Sequence, residues 1–277
     1  MATTSENVMY PFLDALALAR LEEARQATAI AELADESIDI AGGTMSYAGP
    51  GVWANQVCGI GLSSAVTDAE LDRIVAFYDA RGEPGEIEVA SCAHETCIRG
   101  LGSRGFVLKE IEYVFAIDGT RTDIDPISFA RLEASGLEML RVDPSHDSVV
   151  DEFVEVGTRG FKAPGETVLP DEIKLLRRVV AHPRTSAWIV RFEGQTCGVT
   201  AMECAGDVAC LFATTVTPEF RGRGIQRALM EARLRHGLDA GCRYVCIHSA
   251  AGIATERNAR RLGMELCYVK AILTRSR

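Results

Sequence analysis

Two spacings of apolar residues run along the chain, one typical of helices and one typical of strands. Residues 11–35 repeat apolar side chains at the spacing of one helical face, which predicts a first helix. Thr67 and Glu70 have the sequence of a capping box, so a second helix is predicted to begin there and to end near Gly82. Alternation of apolar and polar residues predicts a long strand over 106–117.

Shorter elements complete the first half. An apolar stretch covers 38–47, strands are predicted at 56–62 and 87–90, and a short helix at 93–103. In the second half the predicted strands are 137–142, 186–192, 196–204, 208–217, 243–248 and 264–274. Helices are predicted there at 149–159, 171–181, 223–239 and 255–262. Together these elements predict a mixed α/β (α+β) fold with a largely antiparallel sheet flanked by helices.

Both halves close in the same way, with a glycine and an apolar residue that lead into an alternating strand. Gly105-Phe106 in the first half corresponds to Gly263-Met264 in the second. A length of 277 residues suits two domains, and the polar run 118–126 is typical of a boundary. We therefore expect two tandem domains, 1–130 and 131–277, that arose by duplication.

Charge divides unevenly between these halves. Residues 1–135 carry 9 basic and 22 acidic side chains, whereas residues 136–277 carry 20 and 17, for a total charge of −10. Such a balance disfavours nucleic acid as a partner, because affinity for it depends on clustered basic residues. No apolar stretch is long enough to cross a membrane, and the start lacks a secretory signal. The sequence thus predicts a cytoplasmic protein with no membrane or nucleic-acid partner, and it leaves the oligomeric state open.

Nine cysteines, an odd number, are predicted to be reduced thiols of the core. Cys92, His94 and Cys97 are the nearest approach to a metal motif, but they supply only three ligands at irregular spacing. The sequence therefore predicts no metal.

The most informative segment connects a strand to a helix. The strand reaches Val216, Pro218 ends its pairing, and Gly222 and Gly224 allow a tight turn into the next helix. Helix N–H groups left open beside flexible glycines and arginines form a site for phosphate or pyrophosphate. A simple glycine turn with solvated arginines is the structural alternative.

This segment resembles the phosphate loop of the GCN5-related N-acetyltransferases (GNAT). Arg221 and Gly224 match the family signature, whereas Gln226 stands where the family has glycine or alanine. The run 258–264 resembles the family's last helix and its glycine turn. The resemblance implies two tandem GNAT-like domains, with acetyl-CoA bound by the second. The implied cofactor-binding residues are Thr215, Val216, Thr217, Arg221, Gly222, Arg223, Gly224, Ile225, Gln226, Arg227 and Asn258.

The resemblance also implies a general acid, which in many members is a tyrosine. Ala259 occupies that position here, and Tyr268 is the nearest substitute. Candidates for the general base are Glu203, Glu219 and His248, each ionisable near the expected thioester.

The first half lacks the loop. Asp68 and Glu70 stand at its helix start, where carboxylates would repel phosphate, so no CoA is expected there. The predicted function is transfer of an acetyl group from acetyl-CoA to the amine of a small molecule. Two alternatives stay open. One is a non-catalytic acyl-CoA sensor or partner-binding module, and the other is acylation of a protein side chain.

Overall fold

The computed structural model describes residues 14–120, 136–163 and 165–275. Its helices are α1 (Ala15–Leu33), α2 (Asp68–Asp79), α3 (Thr96–Ser103), α4 (Asp147–Phe161), α5 (Pro170–Ala181), α6 (Ile225–Asp239) and α7 (Ala254–Arg261). Its strands are β1 (Glu36–Ile40), β2 (Gly43–Tyr47), β3 (Gln56–Cys58), β4 (Glu86–Ala90), β5 (Phe106–Asp118), β6 (Leu137–Arg141), β7 (Thr185–Phe192), β8 (Gln195–Ala205), β9 (Val208–Val216), β10 (Tyr244–Ala250) and β11 (Glu265–Arg275).

All eleven strands join one sheet in the order β1-β2-β3-β4-β11-β5-β10-β9-β8-β7-β6. Two neighbouring pairs are parallel, β3 with β4 and β9 with β10, and the other pairs are antiparallel. Each parallel pair is connected through a helix, α2 or α6, as a parallel crossover requires. The predicted mixed and largely antiparallel α/β architecture is confirmed.

The two halves exchange their last strands. β11, at the end of the second half, lies between β4 and β5, and β5 of the first half lies against β10. The two strands also pair with each other along most of their length. The halves therefore share one continuous sheet, and neither closes its own.

Element order is the same in both halves. Three antiparallel strands, a helix, a parallel strand, a second helix and a final strand run through β1 to β5 and again through β7 to β11. This order agrees with the similar strand endings in the sequence. The proposed boundary falls partly within 121–135, outside the described residues, so duplication and the domain limits stay predictions.

The long central strand β5 has two different faces. Phe115 and Ile117 pack into the core below α6 and α7, whereas Val114 and Ala116 pack with Leu18 of α1. A separate core below α2 and α3 fills the first half. No helix of the described ranges is both long and apolar enough to span a membrane.

Two expected elements differ in detail. The apolar stretch 38–47 folds as a hairpin, because Ala41 and Gly42 turn the chain with φ of 49° and 85°. The strand predicted over 56–62 ends at Cys58, since Gly59 and Gly61 have positive φ and leave the extended conformation. The start of the predicted first helix, 11–13, lies outside the described residues.

Candidate functional site

The loop before α6 leaves the first turn of that helix open. Gly222 and Gly224 have φ of 76° and 80°, and Gly224 caps the helix without a side chain that accepts its N–H groups. A Cβ atom at either glycine would meet nothing within 4 Å, so the loop faces open space. The predicted turn therefore has the exposed amides that an anionic group needs.

Side chains around the loop have defined partners. Arg221 donates from Nε to the carbonyl oxygen of Val216 at 3.0 Å. Gln226 donates to Thr255 and accepts from Asn258, each at 3.1 Å, and so connects α6 to α7. The departure from the family signature at Gln226 thus fills the space between two helices, and the loop amides stay free.

β9 and β10 diverge beside this loop. They pair only through Val208–Leu211 and Tyr244–Ile247. The C-terminal residues of β9 and β10 therefore do not pair with each other. Within β9, Ala213 has a φ of 47° and the pairing with β8 shifts register, which marks a β-bulge. The divergence leaves an edge of β9 available to a ligand.

Arg233 supports the bulge from within the core. It is completely buried, and its Nη1 donates to the carbonyl oxygens of Ala201 at 2.7 Å and Phe212 at 3.2 Å. Burial lowers the pKa of Arg233 to about 9. A buried side chain that binds carbonyls on both strands stabilises the irregular backbone there.

A cavity of about 870 Å³ opens between the two halves at the divergence. Thr214 of β9, Gln226 of α6 and Ser249 of β10 line it from the second half. Trp53, which is 54% exposed, and Gln56 line it from the first half. The cavity is therefore a joint product of both halves.

Acidic side chains outnumber basic ones in the cavity's lining. Seven glutamates contribute to it, namely Glu86, Glu88, Glu110, Glu112, Glu166, Glu172 and Glu203. The cationic and titratable basic groups of the same lining are Arg25, Lys162, His182 and His248. Lys109, Lys270 and Arg184 pair with three of these glutamates from outside the lining. Among the described residues Glu110 forms no ion pair, so its carboxylate is the one available to a cation.

An ion network crosses from α1 to β8 at the base of the cavity. Arg25 binds Glu22 through two bonds of 2.6 and 2.7 Å, and its other nitrogen contacts Glu203. Arg184 donates from Nε to the second oxygen of Glu203 at 2.9 Å. Both oxygens of the predicted base Glu203 are thus held by guanidinium groups, and the carboxylate is almost completely buried.

His248 lies between two carboxylates of the first half. Its Nε2 is 2.9 Å from Glu22 and its Nδ1 is 3.1 Å from Glu112. Burial and Lys270 lower the pKa of His248, but Glu112 and Glu22 outweigh them and raise it well above the ordinary value. Near neutral pH this imidazole is therefore protonated, which opposes its predicted role as a base. Glu219 is exposed and lies outside this cavity.

Tyr268 is buried below α1. Its hydroxyl donates to Glu23 at 2.8 Å, and Glu23 also binds Lys270 at 2.7 Å. Burial and the neighbouring Glu23 raise the pKa of Tyr268 well above its ordinary value. The side chain is not among those that line the cavity, so its placement does not favour the predicted role as general acid.

The predicted cofactor segment stays together in space, because Thr215 to Arg227 runs from the edge of β9 through the open loop into α6. Thr217 has a buried hydroxyl with no hydrogen-bond partner among the described residues. Gly160 of α4 lies so close to Thr215 that a Cβ there would be 1.9 Å from its hydroxyl. The helix can pack against β9 only because residue 160 has no side chain.

Sequence reasoning missed the contribution of the first half to this cavity. Arg25 belongs to a helix predicted from its apolar pattern alone, and Glu110 and Glu112 belong to a strand predicted only from its alternation. The available signal was charge on the buried side of α1, which buries Glu22, Glu23 and Gln26 beside Leu18.

Comparison with known proteins identifies the fold. Residues 151–264 match the Acetyltransferase (GNAT) family. No curated protein sequence matches the chain. This match supports a GNAT acetyltransferase domain within 151–264, and members of that family transfer acyl groups from acetyl-CoA.

Several solved structures are similar over most of the chain. The GCN5-related N-acetyltransferase from Kribbella flavida has a TM-score of 0.65 at 14% identity, and the match covers 92% of this chain and 96% of that one. A GCN5-related N-acetyltransferase from Sphaerobacter thermophilus gives 0.56 at 15% identity, covering 79% and 71%. A tandem GNAT protein from the clavulanic acid biosynthesis pathway gives 0.54 at 15% identity, covering 84% and 73%. At these identities the similarity establishes the fold.

Proposed function

We propose that the protein is an acetyl-CoA-dependent N-acetyltransferase whose acceptor is a small molecule with a cationic amine. The observation that carries this proposal is the glutamate-lined cavity between the halves, which adjoins the divergence of β9 and β10. One side of the site suits an anionic, phosphate-bearing molecule and the other suits a cation. An acetyltransferase that acts on amines needs this combination.

Residues of the second half fit the cosubstrate. The free amides of Gly224 and the following turn would hold the pyrophosphate, with Arg221 and Arg223 beside them. Thr215 to Thr217 would pair with the pantetheine amides as an added strand, and the unpartnered Thr217 hydroxyl supplies one more polar contact. Asn258 of α7 and Gln226 of α6 would face the same arm.

The acceptor would bind where both halves meet. Glu110 is exposed, lines the cavity and forms no ion pair with another described residue, so it is available to a substrate ammonium group. Trp53 and Phe161 line the same cavity with exposed rings, which attract cations and cover apolar carbons. A substrate with a positive charge and an apolar part matches these contacts.

Catalysis in this proposal depends mainly on positioning. Bound acetyl-CoA supplies a thioester carbonyl that the amine, once neutral, attacks directly. The C–N bond forms as the C–S bond breaks, and the amine's proton leaves with the sulfur as CoA thiol. The bulge at Ala213 would direct backbone amides of β9 toward that carbonyl, and Arg233 keeps the bulge in place. Glu203 holds Arg25 and Arg184, which gives it a positioning role unless one of these ion pairs opens.

The test is release of CoA thiol with a panel of amines that differ in charge and apolar length. Glu110→Gln is expected to raise KM for a dicationic amine by about tenfold and to change kcat little, because it removes one attractive charge. Glu138→Gln, an exposed change outside the cavity, serves as the matched control. Equal KM values for the two variants would contradict the acceptor site.

An acyl-CoA sensor is the second candidate function. It is favoured by one observation, the absence of a tyrosine among the described residues that line the cavity. Binding of acetyl-CoA without thiol release for any amine of the panel would support the sensor and exclude the enzyme.

A further inference from the structure

We propose that Cys210, Cys246, His248 and Glu22 form a zinc site that fastens the first helix to the sheet of the second half. The donor atoms of these four side chains all lie within 4.8 Å of one another. Three of the residues are buried and His248 is partly buried. This inference is independent of acetyl transfer.

The fold brings the four residues together on rigid elements. Cys210 of β9 and Cys246 of β10 are register partners in the parallel pair. His248 follows Cys246 by two positions and so points to the same face of the sheet. Glu22 reaches this face from α1, a helix of the first half that packs against β9 of the second half. Each ligand except Glu22 therefore has a position set by strand pairing.

Two sulfurs, one imidazole nitrogen and one carboxylate oxygen match the donors that proteins use for Zn²⁺. In a tetrahedral site with bonds of about 2.0–2.1 Å, nitrogen and oxygen ligands lie about 3.3 Å apart. His248 Nε2 and Glu22 Oε1 are separated by 2.9 Å, so a small movement would admit the ion in place of the shared proton. Four protein ligands leave no open position, which is typical of a structural site.

Surrounding groups already hold the ligands as a metal site requires. Glu112 contacts Nδ1 of His248 at 3.1 Å, which orients the ring with Nε2 toward the cluster. Arg25 holds both oxygens of Glu22 at 2.6 and 2.7 Å. Two thiolates and one carboxylate would leave one negative charge after Zn²⁺ binds, and Arg25 balances it.

An ion can reach the site. Cys210 and His248 line the large cavity, whereas Cys246 and Glu22 lie behind them. The ligands come from positions 22, 210, 246 and 248, on three elements that only the tertiary fold brings together. This explains why the sequence predicts no metal, and the proposal departs from that expectation.

The first experiment loads chelator-stripped full-length protein with Co²⁺ as a spectroscopic substitute for Zn²⁺. We expect one Co²⁺ per chain, with the visible bands of a tetrahedral ion and near-ultraviolet thiolate charge transfer. Cys246→Ser should weaken Zn²⁺ affinity at least tenfold and reduce the charge-transfer band. Cys242→Ser is the matched control, because Cys242 is a buried thiol hydrogen-bonded to Cys204 outside the cluster. Octahedral Co²⁺ spectra, or equal Zn²⁺ affinity in both variants, would overturn the proposal.

The second experiment uses the wild-type chain and therefore does not depend on a variant that folds. Cys210 lines the cavity, so Zn²⁺ should slow its alkylation over a time course in which the metal-free chain becomes labelled there, as read by mass spectrometry. Zn²⁺ should also raise the thermal midpoint, because it binds the folded state. An unchanged rate of Cys210 labelling with Zn²⁺, or a disulfide between Cys210 and Cys246 in the reduced-buffer preparation, would overturn the site.

Discussion

The helices that follow β3 and β9 occupy matching places in the two halves, yet their first turns differ. α2 begins with a complete capping box, in which Thr67 accepts from the Glu70 amide at 3.3 Å and Glu70 accepts from the Thr67 amide at 2.8 Å. α6 begins at Gly224 with no side-chain cap. Asp68 and Glu70 lie in the first turn of α2, whereas Arg221 and Arg223 precede α6.

A helix start is available to a ligand when the chain's own side chains leave its amides unpaired. The first amides of α2 already donate hydrogen bonds to side chains of the capping box. Asp68 and Glu70 also place negative charge at the positive, N-terminal end of the helix dipole. The amides of α6 lack such partners, and arginines add positive charge. The same strand-to-helix connection thus gives a helix capped by its own side chains in the first half and a proposed anion site in the second half.

The largest expected effect concerns α1, through which the first half supports the second. Arg25→Met would leave Glu22 without its guanidinium in a buried setting, so the free energy of unfolding should fall by about 3–5 kcal/mol. Urea denaturation measures the change. Arg99→Met removes an exposed pair with Glu95 and should cost no more than about 1 kcal/mol. Similar losses for both would refute the support role.

Tyr268 tests whether the second half also depends on α1. It lies on β11, a strand of the second half, and donates a hydrogen bond to Glu23 of α1. Tyr268→Phe removes the hydrogen bond to Glu23 and should cost about 1–3 kcal/mol of stability, with kcat unchanged. Thermal denaturation and steady-state kinetics separate the two effects. A fall of about tenfold or more in kcat, with unchanged acetyl-CoA affinity, would support the acid role predicted from sequence.

Gly224→Asp tests the open helix directly. It places a negative charge and a side chain in the left-handed conformation where a phosphate would bind, so acetyl-CoA affinity should fall more than about tenfold. Calorimetry should show one site per chain in the wild type. Gly241→Asp is the matched control, since Gly241 also has positive φ and open space but lies after α6. Two sites per chain would refute the contrast between the halves.

Thr67→Ala tests the closed helix. Loss of the cap should reduce stability by about 0.5–2 kcal/mol and leave acetyl-CoA affinity the same. Chemical denaturation and calorimetry on one preparation measure both quantities. An affinity loss as large as that of Gly224→Asp would show that the first half also binds the cosubstrate.

The smallest expected effect is an acid-sensitive contact between the halves. Lys174 and Arg178 lower the pKa of Asp35, so its stabilising contribution is present at neutral pH and is lost as the pH falls below about 4. Because the pair is partly exposed, Asp35→Asn should cost less than about 1 kcal/mol at pH 7. The difference in thermal midpoint between variant and wild type should close in acid. A difference that persists at low pH would contradict the ionic origin.

Local features of the chain were predictable from sequence alone. The helix from Ile225 and the capping box at Thr67 depend on neighbours within one or two turns. The open turn at Gly222 and Gly224 follows from residues that adopt positive φ without strain. The strand order around β9 could be expected only through the family resemblance.

The tertiary structure decided everything that depends on residues distant in sequence. Strand alternation shows that β5 and β11 are strands, but it does not specify their partners, and their exchange joins the halves into one sheet. Charges such as Glu22 and Arg25 resemble a solvated helix face until other elements bury them. The strand exchange and the burial of α1 together place carboxylates of the first half beside the open edge of β9. These residues are far apart in sequence, so no local pattern predicts the cavity between them.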